Sequence, residues 1–370
     1  MAATDGHARA LFAAALALPG VAPQAGAQTV PENGYIEFRY LDYRDWQPGQ
    51  RRMRVHNPGF FVLKPLSETL VIEGSIVYDA MSGASPTWHD VLSGASGIGV
   101  TDYRTAGEVK LTKYFDAFSI GIGGAYSHER DYISRAVSID VRVWTEDKNR
   151  TFAFGLAGSA DRIHTIAGVA EHERKTVLEY LVGVIQALSP TTIVQSNITY
   201  SRGHGYYDDP YKPLDTRPGR RRVLAWLTRL NQHFASVDGT LQLAYRYVDD
   251  SFGADSHMLE TAWLQPLPFG FSVRPSLRYY TQKAASFYRD PPFGQGFVRG
   301  KPYTADTRLS AFGAITPGMA IAKELGAGWS ADVKLEYYRQ RSTWRIGGEG
   351  SPGIKPLHAR WIQIGIGKAF

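Results

Sequence analysis

Apolar and polar residues alternate in segment after segment along this 370-residue chain. In 136–144, apolar side chains share one face and polar side chains the other, namely Val137, Ile139, Val141 and Val143 against Ser138, Asp140 and Arg142. Segments 191–201, 271–279 and 329–337 repeat the pattern. A period of two residues is typical of β-strands with one polar face and one apolar face. The sequence therefore predicts an all-β fold.

The number of such segments and their spacing narrow this prediction. Sixteen candidate strands begin near Tyr35, Arg52, Thr69, Tyr103, Phe118, Arg135, Thr151, Thr176, Thr192, Arg220, Thr240, His257, Phe271, Thr307, Gly328 and His358. Short connections alternate with longer ones, notably 79–102, 160–175, 202–219, 284–306 and 341–357. Outer-membrane barrels sort their loops in this way. We therefore predict a closed antiparallel transmembrane β-barrel with short periplasmic turns and long extracellular loops.

Hydropathy and backbone chemistry agree with a barrel. Mean hydropathy is −0.25, and no stretch of the proposed mature chain has the apolar length of a membrane-spanning helix. An unpaired backbone group in hydrocarbon costs several kcal/mol, so the last strand should pair with the first, which begins at Tyr35. Pro275 and Pro317 fall inside predicted strands, where we expect either bulges or strand ends that differ from the predicted ones.

The two ends of the chain resemble export signals. Arg9, a short apolar stretch and Ala25-Gly26-Ala27 predict a signal peptide over residues 1–27 and a barrel domain over 28–370. The last strand ends on Phe370, and its apolar face resembles the C-terminal signal that the barrel assembly machinery reads in outer-membrane barrels. Lys368 departs from that pattern.

Several segments in order resemble one bacterial family, the domain of unknown function 3570. They are 79–99, Y126-S-H-E-R-D-Y132, 188–197, 208–218, 245–257 and 278–288. The resemblance implies an exported outer-membrane barrel without an established activity. It also implies an extracytosolic redox setting, because genes of this family often lie near those for small lipoproteins, thioredoxin-like proteins and flavin-attaching transferases.

The absence of cysteine and the mild net charge argue against several kinds of site. The chain has no cysteine, so neither disulfides nor thiolate metal sites can form. The net charge of +6 is mild and its basic residues are scattered, so binding of nucleic acid is not indicated.

Histidines and carboxylates near the predicted extracellular rim suggest a divalent metal site. Imidazole with carboxylate suits zinc, copper or iron. The candidate ligands are His89, His128, Glu129, His204, Asp208, Asp250 and His257. The alternative is that these are solvated loop residues, since no pair shows helical His-x-x-x-His spacing.

A hydrolase with a site at the rim is a further alternative. Asp208–Asp209 and Asp249–Asp250 could supply a general base beside a histidine. However, paired aspartates beside Pro or Ser are ordinary turn residues, and the sequence has no recognised nucleophile motif. We therefore predict that the protein is not an enzyme.

The polar faces of the predicted strands carry both signs of charge, as the lumen of a pore does. The lumen candidates are Glu37, Arg39, Asp140, Arg142, Arg246, Arg274, Arg278, Asp332, Lys334 and Glu336. Barrels of this strand number enclose an aqueous channel unless it is plugged. The charges could instead pair with one another and stiffen the wall, and loops 79–102, 202–219 and 284–306 could fold inward and narrow the hole.

These patterns predict an outer-membrane pore or transport component. The alternative is a membrane scaffold for a periplasmic redox or metal-handling system, with a lipoprotein or redox partner. Arginines in 217–222 are candidate ligands of lipopolysaccharide phosphates, although a solvated cluster explains them as well.

Overall fold

The computed structural model describes residues 28–83, 100–164, 170–210, 212 and 214–370. They form one antiparallel sheet of sixteen strands that closes into a barrel. The strands are β1 Tyr35–Gln47, β2 Gln50–Ser67, β3 Leu70–Gly83, β4 Val100–Tyr114, β5 Phe118–His128, β6 Tyr132–Trp144, β7 Arg150–Ile163, β8 Glu173–Ser189, β9 Thr192–Gly205, β10 Arg220–Phe234, β11 Gly239–Asp250, β12 Ser256–Leu267, β13 Phe271–Gln282, β14 Phe312–Gly326, β15 Trp329–Arg341 and β16 Leu357–Ala369.

The predicted fold class and strand number are confirmed, and every predicted strand has its counterpart. The largest offset is at β14, predicted near Thr307 and observed from Phe312. Residues Thr307–Leu309 form a single 3₁₀ turn instead, because the Asp306 carboxylate accepts a hydrogen bond from the backbone N–H of Arg308. The other 3₁₀ turns of the described chain are Pro268–Gly270 and Ser342–Trp344. No helix within these residues is long and apolar enough to cross a membrane.

The first and last strands close the barrel, as predicted. β1 and β16 pair from Tyr35–Ala369 to Trp46–His358. Reciprocal backbone hydrogen bonds between Gly34 and Phe370, of 2.9 and 3.0 Å, extend this ladder to the last residue. The end of the barrel that contains Gly34 and Phe370 is called the terminal rim below, and the opposite end the loop rim.

Connection lengths differ between the two rims. At the terminal rim the strands are joined by short turns at 68–69, 115–117, 145–149, 190–191, 235–238, 268–270 and 327–328. The longer connections join strand ends at the loop rim, as predicted, and are 84–99, 164–172, 206–219, 283–311 and 342–356. The sorting is not strict, since 48–49 and 129–131 at the loop rim are also tight turns.

The bulges expected at Pro275 and Pro317 are absent, and both residues lie inside strands, β13 and β14, so both alternatives of this prediction are wrong. The β12–β13 and β14–β15 ladders each skip residue pairs beside a proline, and each resumes in the same register. A proline nitrogen cannot donate a ladder hydrogen bond. The ladder between β13 and β14, which contain Pro275 and Pro317, nevertheless continues without interruption at both positions. The missing donor therefore interrupts pairing on one side without inserting a residue.

The two faces of the sheet differ in chemistry. Large apolar side chains stay exposed on the barrel exterior, among them Phe38, Phe60, Ile76, Val109, Ile122, Val137, Phe154, Val182, Ile198, Trp226, Leu259, Leu277, Ile321, Val333 and Ile364. Most polar and charged side chains of the strand centres occupy the alternate, lumen-facing positions, and exterior charges lie near the two rims. Lys368 is an exterior exception at the terminal rim, where its ammonium donates to the carbonyl of Ala327 and lies 5.5 Å from the ring centre of Trp329.

Candidate functional site

All ten charged residues predicted for the lumen occupy lumen-facing positions, and most form ion pairs. Arg39 lies 2.5 Å from Glu37 and 3.1 Å from Asp332, which joins β1 to β15 across β16. Asp140 on β6 contacts Lys110 of β4 at 2.6 Å. The ion pairs of Asp332 and Asp140 link strands that are not neighbours in the sheet.

A larger ion-pair network lies on β12, β13 and β15. Arg278 lies 2.8 Å from Glu260 and 2.9 Å from Glu336, and Lys334 lies 2.9 Å from Glu336. Arg274 reaches Glu260 at 3.5 Å. Sequence reasoning missed Glu260, although its place in the alternation of β12 indicates the lumen.

Three lumen arginines in the described chain have no carboxylate oxygen within 4.0 Å, and they are Arg142, Arg229 and Arg246. Arg229 was not a predicted site residue, yet it shares a face of β10 with Arg221, and its side chain is exposed. Arg246 lies on neighbouring β11, close enough to Arg229 for their charges to interact. These side chains present free positive charge to the lumen.

Charge is distributed unevenly around the lumen. Strands β10–β13 carry five lumen-facing arginines, Arg221, Arg229, Arg246, Arg274 and Arg278, against the carboxylates Asp250 and Glu260. On the opposite strands β3 and β4, Glu73 and Glu108 have no cation within 4.0 Å among the residues described. Opposed charges of this kind set up a field across the lumen.

Three loop-rim connections pack together into one structure, the loop cap, formed by the described residues of 206–219, 251–255 and 283–311. Its apolar centre consists of the buried side chains Tyr207, Phe252, Ala285, Phe287 and Tyr288. Phe252 meets both Tyr207 and Phe287 edge to face, at 5.8 and 5.1 Å between ring centres. Short β-bridges join Thr216 to Tyr303 and Tyr288 to Thr304. The loops therefore have a core of their own.

Buried ion pairs hold the loop cap together. Asp306, whose exposure is 1%, contacts Arg308 at 2.5 Å, Lys212 at 2.8 Å and Arg217 at 3.1 Å. Asp209 also pairs with Lys212, at 2.6 Å, and with Arg308, at 2.9 Å. Asp215 accepts from Arg217, and Thr304 donates to it at 2.5 Å. Three carboxylates thus balance three cations.

The loop cap reaches lumen-facing side chains on distant strands. Tyr207 lies 5.7 Å from the ammonium of Lys175 on β8, and Arg221 of β10 lies 4.8 Å from the ring centre of Phe252. A Cβ atom at Gly203 of β9 would lie 1.8 Å from the Tyr207 hydroxyl, so this approach requires glycine. Arg308 comes near enough to Arg52 of β2 for their charges to interact. The predicted inward folding of 202–219 and 284–306 agrees with these contacts, whereas 84–99 lies outside the described residues.

Ionisation of the loop cap depends on its ion pairs. Burial acts to raise the pKa of Asp209, but Lys212 and Arg308 outweigh it and lower that pKa to about 2. Burial of Asp306 is likewise outweighed, by Arg308 and then Lys212, so its pKa lies well below the usual value. Burial raises the pKa of Asp208, whose carboxylate accepts from the backbone N–H of Arg217.

We expect the loop cap to loosen reversibly in acid. Because the folded pKa of Asp209 and Asp306 is lowered, their contribution to stability is complete above about pH 4. It is lost as the pH falls towards and below about 2. The pKa of Asp208 is raised, so ionisation of this carboxyl group opposes the folded state of the loop cap. As the pH falls, Asp208 takes up its proton before Asp209 and Asp306 do. Limited proteolysis with an acid-active protease between pH 5 and pH 2 measures this loosening. Cleavage within 206–219 and 283–311 should increase towards pH 2, while the barrel stays intact. Unchanged cleavage would contradict the stabilising role of the Asp209 and Asp306 carboxylates.

The predicted metal ligands are separated in the structure. His204 and His257 point outward from β9 and β12, whereas Asp250 faces the lumen and contacts Arg221 at 2.6 Å. His257 is instead 2.8 Å from the hydroxyl of Tyr245. Glu129 is 3.9 Å from Arg104, and its neighbour His128 ends β5. The described residues contain no group of three metal-ligating side chains. Since His89 lies outside them, a site that includes it stays a prediction.

The arginine cluster of 217–222 divides between two faces. Arg217 and Arg221 are engaged inside the mouth, with Asp215 at 2.7 Å and Asp250 at 2.6 Å. Arg220 and Arg222 lie on the exterior. The sequence showed the cluster but not this separation, which follows from the alternation of β10.

Comparison with known families shows which protein family this chain is related to. A family model described as "Protein of unknown function (DUF3570)" matches residues 90–170 and 165–360. The chain belongs to this family. The resemblance stated from the sequence is thereby confirmed, and DUF3570 in this case is a sixteen-stranded barrel. A search of curated proteins gave no match.

Solved structures similar to this DUF3570 chain are outer-membrane proteins at low identity. The siderophore receptor PirA of Pseudomonas aeruginosa is 10% identical with a TM-score of 0.48, and 89% of this chain covers 61% of the receptor. OccD3 (OpdP) of the same species is 10% identical with a TM-score of 0.45 and 94% coverage of both chains. A BenF-like porin of Pseudomonas fluorescens Pf-5 is 8% identical with a TM-score of 0.49, covering 91% of this chain and 98% of the porin. The chain thus spans about three fifths of the receptor, and likeness at this level carries no argument about its function.

Proposed function

We propose that this protein is an outer-membrane channel for small charged or dipolar solutes, narrowed at the extracellular side by the loop cap. The observation that carries the proposal is the closed barrel with an apolar exterior and a charged lumen. Apolar side chains left exposed on so many strands cost free energy in water and are stable in lipid. The terminal rim, with its short turns, then faces the periplasm and the loop rim faces outward.

The lumen supports passage of ions and not merely a rigid wall. A barrel of sixteen strands is too wide for its own side chains to fill. Arg229 and Arg246 are not neutralised by carboxylates of the described chain, and Glu73 and Glu108 lie on opposite strands. A solute with separated charges would orient in such a field, and a small anion would follow the arginine side.

Reconstitution in a planar bilayer tests the proposal. The purified, folded protein should give discrete conductance steps that depend on protein concentration and are absent after heat unfolding. Limited proteolysis that cuts only the loop cap should raise the conductance. A barrel that inserts in vesicles but stays silent both before and after this cleavage would contradict the channel and favour the scaffold alternative.

A further inference from the structure

The strongest unexplained feature of the exterior is a set of exposed arginines near the loop rim on β7–β10, called the arginine belt here. It consists of Arg162, Arg174, Arg202, Arg220 and Arg222. Two of its pairs stand directly opposite each other across strands, Arg162 with Arg174 and Arg202 with Arg222. Like charges in such positions repel and destabilise the sheet unless an anion lies between them.

The protein itself does not neutralise the belt. None of the five guanidinium groups has a carboxylate oxygen within 4.0 Å in the described ranges. Their neighbours along the chain, which face the lumen, are paired: Lys175 lies 3.3 Å from Asp161, and Arg221 lies 2.6 Å from Asp250. On these strands, the lumen-facing cations thus form ion pairs, whereas the exterior arginines of the belt do not.

The belt borders the apolar exterior directly. Two residues further from the loop rim than Arg202 and Arg222 are Tyr200, 36% exposed, and Leu224, 41% exposed. Ile198 and Trp226 follow at 51% and 45%. Arginine next to aromatic and aliphatic side chains is the composition of a membrane interface, where a cation meets lipid headgroups and the side chains below it meet acyl chains.

The five arginines also lie in one band of the ladder near the loop rim, within four residues of one another by register. In the ladder, Arg202 and Arg222 share a row with Leu178 and Gly158, and Arg174 and Arg162 lie four residues closer to the loop rim. Strands tilted by about 40° and spaced about 4.8 Å apart shift by roughly 4 Å per strand at constant height, which is about four residues over three strands. Exterior aromatic residues at the terminal rim show the same slant of the strands. By register, Phe152 on β7 lies nearer the loop rim than Phe234 on β10.

We propose that the arginine belt binds the phosphates of a phosphorylated glycolipid in the outer leaflet of the membrane. This inference rests on the proposed function for its membrane orientation. Guanidinium groups bind phosphate oxygens through paired hydrogen bonds, and two opposed arginines can share one phosphate. The ligand is held from the lipid side, so an anion anchored by acyl chains beneath the belt is favoured over a free one.

The test compares binding of lipid A to the folded full-length barrel and to R174Q/R202Q/R222Q, by native mass spectrometry in detergent. Wild type should retain bisphosphorylated lipid A, and the triple variant should bind it at least roughly tenfold more weakly. The matched control is K64Q/K113Q/K323Q, which removes three cations at the other rim and should bind as wild type does. R174K/R202K/R222K should bind with intermediate strength, because lysine keeps the charge and loses the paired geometry.

Three further probes identify the source of the phosphate. Enzymatically dephosphorylated lipid A should bind weakly, phosphatidylglycerol should compete poorly, and millimolar inorganic phosphate should not displace lipid A. Equal binding of lipid A by wild type and the Gln variant, or equal binding of its dephosphorylated form, would overturn the proposal, as would full displacement by inorganic phosphate. Conductance measured on the same preparations separates the two claims: a conducting barrel without lipid A overturns only this inference, and a silent barrel that binds lipid A overturns only the channel.

Discussion

The conductance of the channel is expected to rise severalfold when Asp306 is replaced by alanine. Its carboxylate is the shared partner of Arg308, Lys212 and Arg217. Removal leaves these cations with only Asp209 and Asp215 inside a buried cluster, and loss of one member of such a network costs about 3–5 kcal/mol. The cost falls on the loop cap, because the barrel wall is held by its own ladders. Single-channel recording on D306A measures the effect.

Two comparisons make this prediction specific. Asp116 lies exposed in a terminal-rim turn, so D116A should leave conductance and proteolysis of the loops unchanged. D306A should also be cleaved faster within 283–311, while the heat-dependent gel mobility of the folded barrel is retained. If D306A conducts like wild type and its loops resist protease equally, the loop cap does not limit passage.

Ion selectivity should reverse when the free lumen arginines change sign. In R229E/R246E the local charge changes by four units on the wall opposite Glu73 and Glu108, so lumen-facing carboxylates then outnumber the remaining arginines of β10–β13. We expect the anion-to-cation permeability ratio to fall by roughly an order of magnitude, with a change in sign of the reversal potential under a salt gradient. The shift should shrink in 1 M salt, where the screening length is about 3 Å.

The matched control for this experiment is K64E/K113E, which makes the same charge change on the barrel exterior at the terminal rim. It should leave the reversal potential near that of wild type. An equal shift in both variants would mean that overall charge, and not the lumen wall, sets selectivity. An unchanged reversal potential in R229E/R246E would show that ions do not pass these side chains.

Much of the barrel could be predicted because its signals are local. Alternation in β6 or β15 follows from the pleat of a strand, and the spacing of sixteen such segments follows from short turns. Closure followed from the backbone, because β1 and β16 have no other partner for their edge groups. The lumen positions of Glu37, Arg39 and Asp332 were therefore readable, since side-chain parity alone assigns a face.

Pairing between side chains could not be read in the same way. Arg39 and Asp332 are 293 residues apart and meet because β16 separates their strands by a fixed distance. The prediction for Pro275 failed for a related reason: whether a missing donor causes a bulge depends on the neighbouring strand, which remains in register.

A closed barrel with an apolar exterior follows from the amino-acid order alone, because period-two patterning acts residue by residue. The shared core and ion-pair network of loops 206–219 and 283–311 became visible only in the folded molecule, since folding across the mouth brings Asp306 and Lys212 together. The same holds for the pairing of Arg221 but not Arg222, because the partners come from strands that the sequence does not place. Local geometry sets the faces of a strand, and long-range packing sets which charges remain free.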